Sequence, residues 1–270
     1  MRPKSAHASR FLASVALVGV LALPVAGCKT TGDSDVTGSI GATSGGDLRR
    51  DVDRWGARYR DNSNDPDIAI NYAQALRATD QRAQAVAVLE QVALRHPQNK
   101  ALLGAYGRAL ADAGRFEQAL DVLSRAHTPD QPDWRILSAQ GAVLDQLGRH
   151  QDAQRQYASA LKMQPNDPSV LSNLGLSYAL SKDLTRAEAT LRRAVAQPGA
   201  DAKSRQNLAL VLGLQGRFAE AEAIARADLP PDQAAENVAA LRQMVAEHRD
   251  RTDARGSRPV RAPVRNGRDG

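Results

Sequence analysis

The chain has 270 residues, of which 42% are hydrophobic and only 4% aromatic, and its formal net charge is +6. Strand-forming runs of Val, Ile, Tyr and Thr are missing, so the composition favours packed helices over a β-sandwich. The one cysteine excludes an intramolecular disulfide and a cysteine-based metal cluster. Most of the excess basic charge lies at the two ends, which leaves 26 basic and 27 acidic side chains in residues 28–248. A near-neutral body argues against nucleic acid as a partner.

The N-terminus has a basic segment followed by the apolar stretch FLASVALVGVLALPVAG, which ends at Cys28. A stretch of this length behind basic residues predicts a secretory signal peptide over residues 1–27. Val25-Ala26-Gly27-Cys28 resembles the lipobox of bacterial lipoproteins. That resemblance implies lipid attachment at Cys28 after cleavage, and several acyl chains anchor a protein stably where one does not. Because Lys29 rather than Asp follows the cysteine, the resemblance also implies sorting to the outer membrane.

Residues 28–46 are small, polar and rich in Gly, Ser and Thr. Such a composition cannot bury a core, so we predict a flexible tether. Its reach is on the order of 20–25 Å, which would allow a folded domain over 47–249 to stand off the lipid surface.

A 34-residue period organises the next part of the chain. It is clearest in a column of alanines, with a second column of small residues, a column of larger residues three positions later, and turn glycines in the same register. The members are Ala85, Ala119, Ala153, Ala187 and Ala221; Ala73, Gly107, Gly141, Gly175 and Ala209; Leu76, Leu110, Leu144, Tyr178 and Leu212; and Gly114, Gly148 and Gly216.

The stretches GRALADAGRFEQAL, GAVLDQLGRHQDAQ and ALVLGLQGRFAEAE resemble tetratricopeptide repeats. The resemblance implies an all-α, right-handed solenoid of about five helix-turn-helix repeats over residues 66–233. Small residues allow the paired helices to approach, so we expect Gly141 to meet Ala153. The turn glycines suit a left-handed position that ends the first helix, and Pro97 and Pro165 close their repeats because proline cannot continue a helix.

Both ends of the array have the pattern of capping helices. Residues 47–62 place apolar side chains on one helical face, and residues 232–249 follow two prolines, with Asp232 as the expected N-cap. Residues 250–270 are rich in Arg, Pro and Gly, so we predict a disordered tail there.

The sequence offers no nucleophile motif, phosphate loop or metal-ligand spacing, so we predict neither an enzyme nor a cofactor or metal site. The resemblance to repeat arrays places certain first-helix positions on a concave groove. Asparagine recurs at one of them, and asparagine can pair with both N–H and C=O groups of an extended peptide. The alternative is solvated or internally bonded asparagine. The candidate peptide-binding residues are Asn71, Gln74, Arg108, Asp145, Gln146, Asn173 and Asn207.

A lipid anchor, a short tether and a repeat array together resemble the lipoproteins of tight-adherence (Flp) pilus assembly. That likeness implies a periplasm-facing adaptor at the outer membrane whose partner is a secretin or another pilus or secretion component. The near-neutral body and the lack of catalytic motifs predict no nucleic acid and no small-molecule substrate. Two alternatives remain open from the sequence: a regulator of peptidoglycan synthesis or hydrolysis, and an accessory subunit of outer-membrane β-barrel assembly.

Overall fold

In the computed structural model, residues 45–256 are described, with side chains over 46–248. This part is all α-helical, apart from an isolated bridge between Thr128 and Gln131. The signal peptide, Cys28, most of the tether and residues 257–270 lie outside the described residues. The helices of the described part are α1 (Gly45–Asp61), α2 (Pro66–Ala78), α3 (Arg82–Ala93), α4 (Lys100–Asp112), α5 (Phe116–Arg125), α6 (Trp134–Gln146), α7 (His150–Met163), α8 (Pro168–Leu180), α9 (Leu184–Val195), α10 (Ala202–Leu214), α11 (Phe218–Ala225) and α12 (Pro231–Gly256).

Helices α2 to α11 form five successive pairs, each with a first and a second helix. Each first helix contacts its own second helix and the first helix of the next repeat, and α1 and α12 pack against the two ends of the array. The predicted fold class, a helical solenoid of about five repeats with capping helices, is therefore confirmed.

The column of small residues brings the two helices of a repeat together. All five members of the alanine column, which lies on the second helices, are fully buried. At Gly141 the nearest atoms belong to another residue than the expected Ala153, because an added Cβ would lie 2.6 Å from the ring of Tyr157, one turn further along α7. The same holds for Gly107, whose added Cβ would lie 2.5 Å from Cγ of Leu123. The glycine leaves room for a large side chain of the second helix, and the two helices also approach so closely that the Ala119 carbonyl oxygen would lie 3.3 Å from the added Cβ of Gly107.

The turn between the paired helices adopts a left-handed conformation in every repeat. The three predicted glycines, Gly114, Gly148 and Gly216, have φ between 72° and 81°. Two non-glycine residues, Asp80 and Lys182, occupy the same register with φ of 61° and 67°. In each repeat the next residue's N–H donates to a carbonyl five positions back, as in a Schellman motif.

A repeated N-cap, which the sequence analysis did not identify, starts the first helices. The side chains of five capping residues each accept a hydrogen bond from the first turn; these residues are Asp65, Asn99, Asp133, Asp167 and Asp201. The predicted N-cap at Asp232 is wrong, because α12 begins at Pro231 and so includes Asp232 in its first turn. Proline suits that first helical position because its missing N–H has no acceptor there.

The ends of the array extend beyond the predicted caps. α1 begins at Gly45, within the predicted tether, and α12 continues to Gly256, within the predicted tail. Residues 250–255 contain no glycine or proline, so nothing in the local sequence interrupts the helix before Gly256.

Candidate functional site: the exposed face of the first helices

One face of the first helices is turned away from their second helices. It carries two columns one helical turn apart, here called columns nine and thirteen after their place in each repeat. Column nine is Gln74, Arg108, Ala142, Leu176 and Leu210, and column thirteen is Ala78, Asp112, Gln146, Leu180 and Leu214. We call this surface the groove face, because in helical solenoids the first helices line the extended binding surface. Successive first helices contact one another, so each column continues from repeat to repeat.

The three predicted asparagines are half-buried and differ in their bonding. Nδ2 of Asn71 donates to the carbonyl of Asp67, one turn back in the same helix, at 2.8 Å. Nδ2 of Asn207 donates to Oγ of Ser172 in the preceding first helix at 3.1 Å. In the described part, the side chain of Asn173 makes no hydrogen bond. A continuous asparagine ladder therefore stays a prediction. Asn173 is the one of the three asparagines whose amide has no hydrogen-bond partner in the described part.

Arg108 lies half-buried on the groove face, while Gln74 of the previous repeat is exposed. Among residues 46–248, no carboxylate comes within ion-pair distance of Arg108. Burial lowers the pKa of its guanidinium, and the neighbouring charges of Arg77 and Arg135 lower that pKa further, while Asp133 and Asp112 oppose them. Arg77 itself is engaged by Asp112. Arg108 is thus a partly desolvated cation without a direct counter-charge.

Asp145 does not serve the groove, which corrects its place among the candidate residues. Its side chain is only 8% exposed. Its carboxylate accepts hydrogen bonds from Oγ of Ser177 at 2.8 Å and from the Tyr157 hydroxyl at 3.1 Å, and it contacts Nδ1 of His150 at 2.9 Å. Burial nevertheless raises the pKa of Asp145 above its ordinary value, although these bonds oppose the shift. The residue joins the third repeat to the fourth.

Gln146 is exposed and lines an open depression of about 700 Å³ at the edge of the groove face. The depression also includes Arg82, Asp112 and the half-buried ring of Phe116. Arg82 is held over its rim, because its guanidinium pairs with Asp80 at 2.7 Å and donates to the Asp112 carbonyl at 3.2 Å. The site combines an aromatic wall with polar edges and continues the surface that carries Arg108.

Four leucines of the groove face were missed by the sequence reasoning. Three are partly exposed, and Leu214 is 38% exposed. None of them belongs to or packs against the three hydrophobic core clusters of the described part. Their register in the repeat could have identified them, because Leu176 and Leu210 lie 68 and 102 residues after Arg108, two and three repeats further along the array. The four are Leu176, Leu180, Leu210 and Leu214.

Metal sites and membrane-spanning helices are both absent from the described residues. Residues 46–248 contain no group of three His, Cys, Asp or Glu side chains that could hold a metal ion. No helix within 45–256 is both long enough and apolar enough to span a membrane.

These features define a helical repeat array of the kind that binds other proteins along stacked first helices. Models of the tetratricopeptide repeat match residues 76–141, 138–202 and 205–227. The chain belongs to the tetratricopeptide repeat family. A relative in Sinorhizobium fredii, the uncharacterized protein y4yS, is 32% identical over 111 residues, which are 41% of this chain and 60% of that protein. The match thus spans less than two thirds of the relative's length.

Solved structures share the fold at lower identity. PilW, described as a widely conserved type IV pilus biogenesis factor, superposes with a TM-score of 0.62 at 17% identity and covers 72% of this chain and 91% of PilW. The tetratricopeptide repeat protein TTC0263 of Thermus thermophilus gives a TM-score of 0.55 at 21% identity, over 62% of this chain and 91% of that one. At such identities the likeness concerns the fold.

Proposed function

We propose that the chain is a lipid-anchored adaptor of the bacterial outer membrane that holds a segment of a partner protein on its groove face during assembly of a pilus or secretion complex. The observation that carries the proposal is the groove face itself. It presents polar side chains that have no hydrogen-bond or ion-pair partner in the described part of the chain, among them the amide of Asn173 and the guanidinium of Arg108. A rigid helical scaffold with such a surface can bind a partner without a catalytic step.

The envelope setting is supported by the sequence before the fold. The lipobox pattern at Cys28 and the small polar tether after it suit a domain held near a membrane surface. The pilus setting is supported by the architecture and by the fold shared with PilW, whose description is that of a pilus biogenesis factor.

A photocrosslinking amino acid placed on the groove face tests the adaptor role directly. Ala142 is the position of choice, because it is an exposed alanine of column nine. Ala158, an exposed alanine of the second helix α7, is the matched control. We expect irradiated cells to yield a crosslinked secretin or other pilus or secretion protein from position 142 and not from 158. Crosslinks to wall enzymes or to barrel-assembly proteins would assign one of the alternative roles. An absence of protein crosslinks at 142 would refute the adaptor role.

The anchor has a separate test. Replacing Cys28 with Ser removes the only thiol of the chain, so metabolic labelling with a radioactive fatty acid should disappear and signal processing by the lipoprotein route should be blocked. Label retained by the Cys28→Ser chain would show that the lipobox assignment is wrong, whatever the groove binds.

A further inference from the structure

The chemistry of the groove face changes along the array. In the first two repeats, column nine holds Gln74 and Arg108, and column thirteen holds Ala78 and Asp112. In the last two repeats both columns consist of leucine. Because the columns keep one register over contacting helices, this is a change along a single surface from a polar end to an apolar end.

The apolar end is not part of the folding core. Its four leucines lie outside the hydrophobic core clusters of the described part while keeping some of their surface in water. Leu180 and Leu214 end their first helices, so their side chains lie near the rim of the groove face. Partly exposed apolar side chains that recur in one register on neighbouring helices mark a place where another molecule can pack.

The polar end carries a cation with no carboxylate within ion-pair distance among residues 46–248. Arg108 is half-buried, and burial and the charges of Arg77 and Arg135 disfavour its charged form, while the carboxylates of Asp133 and Asp112 act in the opposite direction without forming an ion pair with it. Arg135 is exposed at the start of α6, and its guanidinium lies 4.4 Å from the centre of the Trp134 ring. Neither Arg108 nor Arg135 forms an ion pair within residues 46–248. Burial of a charge is costly unless it is paired, so an incoming carboxylate would be stabilised here.

From these observations we infer that the groove face binds an extended segment of a partner protein that carries a carboxylate against Arg108 and apolar side chains against the leucines of the fourth and fifth repeats. This inference rests on the proposed adaptor function and specifies the partner's chemistry. Two contacting helices are about 8–10 Å apart, so Arg108 and Leu176 lie on the order of 20 Å apart across two repeats. An extended chain covers that span in about six residues.

Asn173 favours an extended segment over a helical one. Its side chain lies at the apolar end, on the first helix that also carries Leu176 and Leu180, and its amide is not bonded within the described part. An amide can pair with both the N–H and the C=O of an extended backbone. A helical partner already uses these groups internally and would leave Asn173 without a role.

Selection from a random twelve-residue peptide library, displayed on phage and bound to the immobilised full-length chain, tests the inference without a known partner. We expect selected peptides to be enriched in an acidic residue and in Leu, Ile, Val or Phe about six positions away. Fluorescently labelled copies of the best peptide, made with a free and with an amidated C-terminus, then show whether the carboxylate comes from a side chain or from the chain end. Selected sequences without this pairing would overturn the inference.

Two variants separate the ends of the surface. Arg108→Gln should weaken peptide binding about tenfold at low salt and remove most of its salt dependence, because the charged contact is lost. The double change Leu176→Ser and Leu210→Ser should weaken binding about tenfold or more and leave the salt dependence intact. Asn173→Ala should weaken binding by a smaller factor for every selected peptide, because a backbone contact does not depend on peptide sequence.

Matched controls use the same substitutions elsewhere. Leu94→Ser changes a leucine that is 79% exposed after the second helix α3, and Arg193→Gln changes an exposed arginine on α9. Both should bind the peptide as the parent does. Circular dichroism melts report folding, and if the double leucine variant melts early, Leu214→Ser alone replaces it because that side chain is 38% exposed.

The outcomes distinguish this inference from the proposed function. Equal peptide affinity in the arginine and leucine variants would overturn the inference even if crosslinking at position 142 succeeds. A dimer of the parent chain that dissociates on the leucine changes would assign the apolar end to a second copy. Binding of the chain to anionic phospholipid vesicles that depends on the same residues would assign the apolar end to lipid. Either result would also overturn the inference.

Discussion

The second and third repeats have the same backbone plan but different interiors. In the second repeat, Gly107 accommodates Leu123, and apolar Phe116 begins the second helix. In the third, the corresponding residues are Gly141, Tyr157 and His150. The tyrosine is almost fully buried and is the largest of the fully buried side chains.

The two repeats also differ in how they join the next one. Where the second repeat has Ala111, the third has Asp145, and its carboxylate accepts hydrogen bonds from the hydroxyls of Tyr157 and Ser177. One repeat is joined to its neighbour by apolar packing and the other by a buried polar network. The repeat backbone accommodates both kinds of junction, because the tyrosine in one column is matched by a glycine and its hydroxyl by a carboxylate.

The largest expected effect comes from filling the space that the glycine leaves. Gly141→Leu would place a branched side chain where even a Cβ comes within 2.6 Å of the Tyr157 ring. Overpacking typically costs about 1–3 kcal/mol, and we expect the upper part of that range because an aromatic ring cannot bend away. Urea denaturation measures the loss in the free energy of unfolding.

The double variant Gly141→Leu with Tyr157→Ala is its control. Removing the ring should recover part of the loss, and an unchanged loss would mean that the two residues do not meet. Hydrogen exchange should show reduced protection in the neighbouring repeats as well, because adjacent repeats stabilise one another.

An intermediate effect concerns the polar junction. Tyr157→Phe removes the hydroxyl that donates to Asp145 at 3.1 Å and should lower the free energy of unfolding by about 0.5–1.5 kcal/mol. Leu123→Met, a conservative change at the corresponding position of the second repeat, is the control for perturbing a buried side chain there. Equal stability of the Tyr157→Phe chain would show that the hydroxyl contributes nothing to the junction.

The same network predicts a pH dependence. Because burial raises the pKa of Asp145 in the folded chain, the folded state keeps its proton to a higher pH than the unfolded state does. Its contribution to stability is therefore present below the ordinary value of 3.8 and is lost as the pH rises through the folded pKa. Asp145→Asn should remove this loss.

The comparison of parent and variant is needed because other carboxylates act in the opposite direction. Ion pairing with Arg217 lowers the pKa of Glu220 and hydrogen bonding from Arg205 lowers that of Asp228, so both favour folding at higher pH. The difference between the two stability curves, from denaturant titrations at several pH values, isolates Asp145. Parallel curves would contradict the prediction.

The smallest effect is a stabilising one. Lys182 adopts a φ of 67°, where the second and third repeats have Gly114 and Gly148. A left-handed conformation costs a non-glycine residue about 1–2 kcal/mol, while the greater freedom of glycine in the unfolded chain cancels about 0.4–1 kcal/mol. Lys182→Gly should therefore raise the free energy of unfolding by roughly 0.5–1 kcal/mol. Lys203→Gly, within helix α10, should lower it, and thermal melts compare the two.

The architecture can be predicted from the sequence alone, because the 34-residue period is a local pattern repeated five times. The alanine column marks where the helices pack. The turn glycines mark where a first helix ends, and the closing prolines mark where a repeat ends and the next begins. Each repeat can be recognised without knowing its neighbours. The N-caps at Asp65 and its counterparts were equally present in the sequence and were missed only because the alignment was anchored on apolar and small residues.

The hydrogen-bond partners of individual side chains could not be predicted in this way and are known only from the folded structure. Asp145 and Asn207 have the sequence signature of groove residues, yet one is buried among hydroxyls of α7 and α8 and the other is bonded to Ser172 of the preceding first helix. Lys182 adopts a left-handed conformation that is usual for glycine, and a lysine at this position does not predict it. The physical reason is that a period fixes which face of a helix a residue occupies, whereas its hydrogen-bond partners, and so its availability to another protein, depend on which side chains the adjacent repeats bring within reach.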